Sequence, residues 1–426
     1  MPPADGLPSW PLTLAFAGFP LWWLLGVLDF IWIPTAGVMI VLMLRRGGIR
    51  VPRGFGVWLL FLAWVACAVI GLSGGLQLVR FSYGLASYVA ATVIFVYLCN
   101  ARATLTDRFV TGVLTTWWLI IVAGGYLAIL FPTGAVHTPL SYVLPGALID
   151  NEWVQKMVVR PLNQYNPDSY FQLDPRPSAP FIYTNQWGSA YSLLIPLVLA
   201  YLTHIRGTRR SWLLVAALVA SFVPAILTTN RGMLIGLGIA AVYAAIRLAL
   251  RRDVRGIIAF AAIGVIGAAV FEFLPTSDRL DARAGSPSLE DRGWLYLQSI
   301  DAVRDSPLFG YGRTLTVPGA VDPVGTQGEF WIVLVSYGVI AALLFLAWFA
   351  YAFLSTLRWT DATSLAANTV LLVALAEFFF YGASPHGIVV IMVAAALAMR
   401  RRLPFTPLAR PRRRRGTTQT SPEVAQ

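Results

Sequence analysis

Charged residues are scarce in this sequence, and their scarcity excludes most classes of soluble protein. Only 12% of the 426 residues are Asp, Glu, Lys or Arg, whereas 57% are hydrophobic. A soluble globular chain carries about 25% charged residues, so a soluble fold could not bury this much apolar surface. The composition predicts an all-α polytopic membrane protein, with one transmembrane domain over residues 1–400 and a basic, disordered cytoplasmic tail over 401–426.

Cysteine, histidine and the signatures of soluble enzymes are also few. The two cysteines, Cys67 and Cys99, fall in apolar segments, and the three histidines, His137, His204 and His386, do not cluster in sequence. The motifs HExxH, paired CxxC, the Walker loop and GxSxG are missing. We therefore expect no disulfide, no protein-bound catalytic metal and no cofactor. The N-terminus has neither a basic region nor a small-residue cleavage site, so we expect the first helix to stay as an anchor.

Apolar segments long enough to cross a membrane recur along the whole chain. A crossing helix needs about 20 predominantly apolar residues. The sequence predicts about twelve such helices, over residues 10–26, 30–44, 55–72, 81–99, 109–131, 186–204, 212–228, 232–250, 256–274, 327–354, 362–381 and 387–400. The first two are short and are separated by Asp29, so a single broken element is an alternative interpretation.

Basic residues alternate between the connections and predict an orientation. Of the 32 Lys and Arg residues, 22 fall in alternate connections and the tail, which places both termini in the cytoplasm of a cell-membrane protein. The tail arginines favour contact with anionic lipid over nucleic acid. Two long connections, 132–185 and 275–326, then lie outside. The first is rich in Pro, Asn, Tyr and Asp and predicts irregular structure.

The second long loop contains a predicted amphipathic helix. Ser288 and Asp291 resemble a capping box, and Trp294, Leu297 and Ile300 share one face of the helix that would follow. A Pro-Leu-Phe-Gly-Tyr-Gly run then ends it. Loops of this length are usually functional or disordered, and the aromatic content favours an ordered, functional loop.

Four arginines fall at the predicted outer boundary: Arg231 in TTNRG, Arg292 in EDRGW, Arg313 in GYGR and Arg80 at the start of the fourth segment. Guanidinium groups bind phosphate oxygens through two parallel hydrogen bonds. An arginine at hydrocarbon depth is costly unless it is paired or faces water. The alternative is that each is a surface anchor or the partner of a nearby carboxylate. The set predicts a site for a phosphate-bearing substrate.

Three motifs in order resemble one family. The stretches FIYTNQWGSAYSLLIPLVLAYL, TTNRGMLIGLGIAAVY and DRGWLYLQSIDAVRDSPLFGYGR are similar to conserved segments of the O-antigen ligase and O-antigen polymerase superfamily. The resemblance spans about residues 180–350. It implies a GT-C-like membrane fold that transfers glycans from polyprenyl-diphosphate donors to glycan or lipid-linked acceptors outside the membrane. It also implies that Arg231 and Arg292 hold the diphosphate and stabilise it as the leaving group.

The chain departs from the ligase pattern at one position. Ligases of this family carry a His-Asn pair about eleven residues before a glycine, and counting back from Gly338 places Gln327 and Gly328 there. Because Gln cannot accept a proton as a general base, Glu329 and His386 are the candidate bases. The departure weakens the ligase assignment and leaves polymerase or another glycan transfer open.

Two other functions compete with glycan transfer. A secondary transporter or lipid flippase is favoured by Glu377, a carboxylate within the eleventh segment, because carboxylates inside membranes are often functional. A non-catalytic assembly protein is the other. Transporters often show two corresponding halves, and the sequence shows no internal repeat. The sugar, the linkage and the acceptor are not indicated by any motif.

Overall fold

The structure, a computed structural model, describes residues 6–72, 74–150, 152–165, 174–273, 288–316 and 323–403. The first helices are α1 (Trp10–Ala17), α2 (Phe19–Leu25), α3 (Trp32–Arg46), α4 (Phe55–Cys67), α5 (Gly75–Asn100) and α6 (Asp107–Leu130), with 3₁₀ turns at Leu28–Phe30 and Ala68–Gly71. The first long loop holds α7 (Leu140–Val143), α8 (Gly146–Ile149) and α9 (Glu152–Val158). The later helices are α10 (Thr184–His204), α11 (Arg209–Leu227), α12 (Arg231–Leu250), α13 (Val254–Phe273), α14 (Ser288–Asp305), α15 (Glu329–Thr356), α16 (Ala362–Glu377) and α17 (His386–Met399), with a 3₁₀ turn at Arg400–Arg402.

Each of the twelve predicted segments coincides with helix, and the all-α class is confirmed. Among the described residues, seven helices are long and apolar enough to cross a membrane, and two shorter apolar helices accompany them. The first predicted segment is divided into α1 and α2, because the chain turns at Gly18 and again at Gly26, where φ is +82°. The number of crossings therefore stays a prediction.

The contacts between the segments that connect the helices show which of these segments lie at the same end of the bundle. At one end, which we call the basic end, Arg400 binds Asp107 and the carbonyl oxygen of Leu105 at 2.8 Å. Arg401 forms one ion pair with Asp107 at 3.0 Å and another with Asp361 at 2.7 Å. The beginning of the predicted tail is thus held by ion pairs, and residues 404–426 lie outside the described residues. The other end, which we call the site end, contains the first residues of α10, α12, α15 and α17.

α17 lies at the centre of the bundle. Its residues from Ile388 to Met399 are almost completely buried, which is the pattern of a helix that is apolar on every side. By contrast, none of the apolar window of α13 is buried within the chain. The predicted span at α13 therefore lies at the edge of the bundle, where lipid would cover it.

The irregular structure predicted for the first long loop is wrong over part of its length. Besides α7–α9, the loop contains two antiparallel pairs of short strands, β1 (Ala135–His137) with β2 (Val159–Pro161) and β3 (Asn163–Gln164) with β4 (Arg176–Pro177). The strands pair residues more than ten positions apart. No local pattern in the sequence marks such pairs, and the prediction missed them.

The structure has a helix, α14, where the sequence predicts one in the second loop, and the predicted apolar face is not the face that this helix buries. Trp294, Leu297 and Ile300 are 40%, 63% and 41% exposed, whereas Leu295 and Ser299 are buried. α14 packs on α15, so the predicted apolar face is left uncovered by the described chain. The side chains of the predicted capping box, Ser288 and Asp291, lie outside the described residues.

Candidate functional site

The TTNRG turn is held by Asn230, which joins three elements at the site end. Its Oδ1 accepts a hydrogen bond from the backbone N–H of Met233 at 3.4 Å and caps α12. Its Nδ2 donates to the carbonyl oxygen of Thr184, the first residue of α10, at 3.2 Å. The hydroxyl of Tyr381, which follows α16, donates to the same Oδ1. The turn between α11 and α12 is therefore fixed from two sides.

Glycines allow this close packing. A Cβ at Gly232, the glycine of the Asn-Arg-Gly motif, would lie 2.6 Å from the hydroxyl oxygen of Tyr381. A Cβ at Gly188 of α10 would lie 2.9 Å from Cγ of Asn230. Since real Cβ contacts of this length are essentially never observed, a larger residue at either position would displace the side chain of Tyr381 or Asn230. The glycine of the motif thus has a role in packing.

Arg231 itself is the first residue of α12, and its side chain is exposed. It forms no ion pair with the part of the chain that the structure describes. Because hydrogen bonds fix the turn, the backbone of Arg231 has a defined position. Its exposed guanidinium is accessible to a ligand.

A second arginine lies beside this turn and was missed by sequence reasoning. Arg176 of β4 donates from Nε to the carbonyl oxygen of Thr228 at 2.7 Å. It comes from the first long loop, 52 residues earlier in the chain. The loop sequence DPRPSAP carries no pattern that distinguishes this arginine from a solvated one, so only the tertiary contact identifies it.

Glu329 opens α15 in a fully buried position. Its Oε2 accepts hydrogen bonds from the backbone N–H groups of Ala383 at 2.7 Å and Ser384 at 3.1 Å. Its Oε1 accepts from the hydroxyl of Tyr88 on α5. The carboxyl group therefore ties the start of α15 to α5 and to the turn before α17. A base must be reached by the hydroxyl it deprotonates, so this geometry favours a holding role. The catalytic role stays a prediction.

His386 is likewise buried and bonded on both ring nitrogens. Nδ1 accepts from the indole N–H of Trp32 at 2.9 Å, and Nε2 lies 3.1 Å from Oδ1 of Asp29. Because an indole can only donate, the ring proton resides on Nε2 and is directed at Asp29. Asp29 also pairs with Arg160 of β2 at 2.8 Å. This chain of contacts docks the first long loop on the bundle.

The other predicted site residues are less closely joined. Gln327 is 8% exposed and lies two residues before the start of α15. Arg80 is exposed near the start of α5, and Arg313 is half-buried just beyond α14. Arg292 belongs to α14, and its side chain lies outside the described residues. The structure thus links Glu329 to the Arg231 turn through Tyr381, whose carbonyl oxygen accepts from the Glu329 N–H at 2.8 Å.

The Pro-Leu-Phe-Gly-Tyr-Gly run packs against a break in α15. At Gly338 the backbone leaves the helical conformation, with φ +84° and ψ 176°. The groups released there bond to the run: the N–H of Val339 donates to Pro307 O at 2.8 Å, and Tyr311 N and Gly312 N donate to carbonyls of α15 at 3.2 and 2.7 Å. Backbone polar groups away from water must be paired. The run therefore supplies hydrogen-bond partners to the backbone groups that the break in α15 leaves unpaired.

Tyr311 also fixes this run to α14. Its hydroxyl donates to the carbonyl oxygen of Ala302 at 3.0 Å. Burial raises the pKa of Tyr311, and the negative charge of Asp305 adds to the effect. The hydroxyl is therefore protonated at neutral pH and stays a donor. The run thus connects α14 to the residues of α15 around Gly338.

Comparison with protein families bears on these same elements. Residues 216–331 match the family model for O-antigen ligase. The match contains the TTNRG turn, α14 and the start of α15, and it confirms the predicted resemblance to the O-antigen ligase and polymerase superfamily. It supports glycan transfer of the ligase or polymerase type at the level of the family, in a multi-pass protein of the inner membrane. A comparison with curated proteins found no significant match.

The described residues were also compared with the requirements of a metal site. Among the described ranges, no three His, Cys, Asp or Glu side chains are grouped so that they could hold an ion.

Proposed function

We propose that this protein transfers a glycan from a polyprenyl-diphosphate carrier to a glycan or lipid-linked acceptor at the outer face of the cytoplasmic membrane. The observation that carries the proposal is the position of Arg231. Its guanidinium is exposed on a turn that Asn230 and Tyr381 fix in place. That turn lies within the matched family segment and at the same end of the bundle as α14 and the start of α15.

The proposed reaction replaces one bond at the anomeric carbon of the donor sugar. The hydroxyl oxygen of the acceptor bonds to that carbon, the bond from the carbon to the phosphate oxygen breaks, and the hydroxyl proton leaves. The diphosphate departs with the electron pair. Guanidinium groups stabilise this developing charge without a metal. In our proposal Arg231 and Arg292 bind the diphosphate, and Arg313 and Arg80 are further candidates at the same end.

Proton removal needs little help in this scheme. Diphosphate is a good leaving group, and general-base catalysis contributes about 10²–10⁴-fold where it operates. The two candidate bases, Glu329 and His386, are both buried and bonded in the described structure. We therefore infer that stabilisation of the leaving group is the main contribution of the protein.

The test is transfer by purified protein in proteoliposomes that contain lipid-linked donor. Arg231→Lys keeps the charge but loses the planar fork, and we expect it to lose most activity with unchanged folding. Arg209→Lys is the matched control, because Arg209 is also exposed and also begins a helix, but at the basic end. Equal activity of both variants would remove Arg231 from the site.

A deletion strain separates polymerase from ligase. Single repeat units that accumulate on the lipid carrier would identify a polymerase, whereas finished polymer that accumulates on the carrier would identify a ligase. The substitution at Gln327 of the family's histidine makes the polymerase outcome the one we expect.

Transport or lipid flipping is the alternative, and one observation favours it. Glu377 is buried and accepts hydrogen bonds from Ser189 at 2.9 Å and from Ser192. Carboxylates in such positions serve ion coupling in many transporters. Movement of lipid-linked glycan across proteoliposome membranes without transfer, abolished by Glu377→Gln, would support this alternative over ours.

A further inference from the structure

The side-chain amide of Gln327 is only partly hydrogen-bonded within the described protein. Gln327 is 8% exposed, and its Nε2 has no hydrogen-bond partner among the described residues. Its Oε1 lies 3.5 Å from the hydroxyl oxygen of Ser299 on α14, at the limit of a hydrogen bond. A buried polar group without a partner is costly and therefore rare in folded proteins. At a candidate site, such a group is available to a ligand.

This conclusion does not depend on how the amide is oriented. Oxygen and nitrogen of a glutamine side chain are assigned from their surroundings. If the two were exchanged, Nε2 would face Ser299, whose hydroxyl oxygen can accept one of its two hydrogens. The position that Nε2 now occupies would then hold the oxygen, which no described donor reaches. A polar atom without a partner is therefore present at that position in both orientations.

The surroundings favour a neutral ligand over a phosphate. The backbone N–H groups that begin α15 are already used, because Glu329 N donates to Tyr381 O at 2.8 Å and Phe330 N donates to Phe378 O at 2.8 Å. The helix start therefore offers few free donors to an anion. The carboxyl group of Glu329 also lies two residues away. Hydroxyl groups of a sugar both donate and accept, and an amide matches them on both counts.

We propose that Gln327 binds a sugar hydroxyl of the glycan through its side-chain amide. The inference rests on the function proposed above, and it assigns to this position recognition of the sugar in place of proton transfer. α14 covers the amide through Ser299, which is fully buried.

The test compares binding of two probes to the full-length protein in nanodiscs. One probe is lipid-linked glycan extracted from the source strain, and the other is polyprenyl diphosphate without sugar. Gln327→Leu should weaken binding of the first probe by about 3- to 10-fold, the value of one hydrogen bond, and leave the second unchanged. Thr326→Ala, an exposed neighbour, is the matched control and should bind both probes like the wild type.

Other outcomes overturn the inference. Equal loss for both probes would assign Gln327 to the diphosphate, and no loss for either would assign it no ligand. If the leucine variant unfolds at a lower temperature, Gln327→Asn provides the second measurement, because it keeps the amide but withdraws it by one methylene. It should show the same selective loss. A wild-type protein that binds neither probe would instead refute the proposed function.

Discussion

Gly338 lies where α15 breaks and the Pro-Leu-Phe-Gly-Tyr-Gly run enters, and its replacement by alanine tests whether this contact holds the site together. The backbone there has φ +84° and ψ 176°, a conformation that costs a residue with a side chain about 1–3 kcal/mol. The new Cβ would also lie under 3.0 Å from the carbonyl oxygens of Leu308 and Pro307. The run must then move, and its three backbone hydrogen bonds to α15 weaken.

The expected magnitude follows from these two effects. Three hydrogen bonds contribute about 0.5–1.5 kcal/mol each, and the backbone strain adds to their loss. We expect Gly338→Ala to destabilise the protein by about 3–7 kcal/mol, a large share of the roughly 5–15 kcal/mol that holds a typical protein folded. The measurement is thermal unfolding in detergent, followed by the fluorescence of the many buried tryptophans. The yield of folded protein should fall as well.

The control is Gly37→Ala on α3. A Cβ there would meet no atom within 4 Å, and the residue is helical and exposed. Alanine is the better helix former by up to about 1 kcal/mol, so this variant should unfold at or slightly above the wild-type temperature. If Gly338→Ala unfolded at the wild-type temperature too, the close approach and the role of the run in completing α15 would both be refuted.

Three further outcomes are expected. Cysteines placed in 132–185 and in 275–326 should both react with an impermeant reagent in intact cells, and labelling of only one loop would contradict the predicted topology. Asp29→Asn should lower the unfolding temperature, since breaking a buried ion pair costs about 3–5 kcal/mol, and a stable variant would show that the contact with Arg160 is unimportant. Glu329→Gln should lose activity in proportion to lost folded protein, whereas full stability with strongly reduced turnover across pH would restore the general-base role.

The sequence determined those features that depend on neighbouring residues. Apolar segments of sufficient length predict helices by composition alone, and all twelve predicted segments are helical. The same holds for α14, whose start and end lie close to the predicted ones. The family motifs could also be recognised from the sequence, because TTNRG and the Pro-Leu-Phe-Gly-Tyr-Gly run each consist of consecutive residues.

Only the tertiary structure decided which side chains meet. Arg176 reaches Thr228, and Asp29 joins Arg160 to His386, across separations of 52 to 357 residues. The sequence placed Trp294, Leu297 and Ile300 on one face of α14, and only the structure shows that this helix buries Leu295 and Ser299 instead. In water, burial and apolarity coincide, and periodicity then reveals the core. In a membrane both faces of a helix can be apolar, so the sequence marks where the helices are and the packing decides which residues form the site.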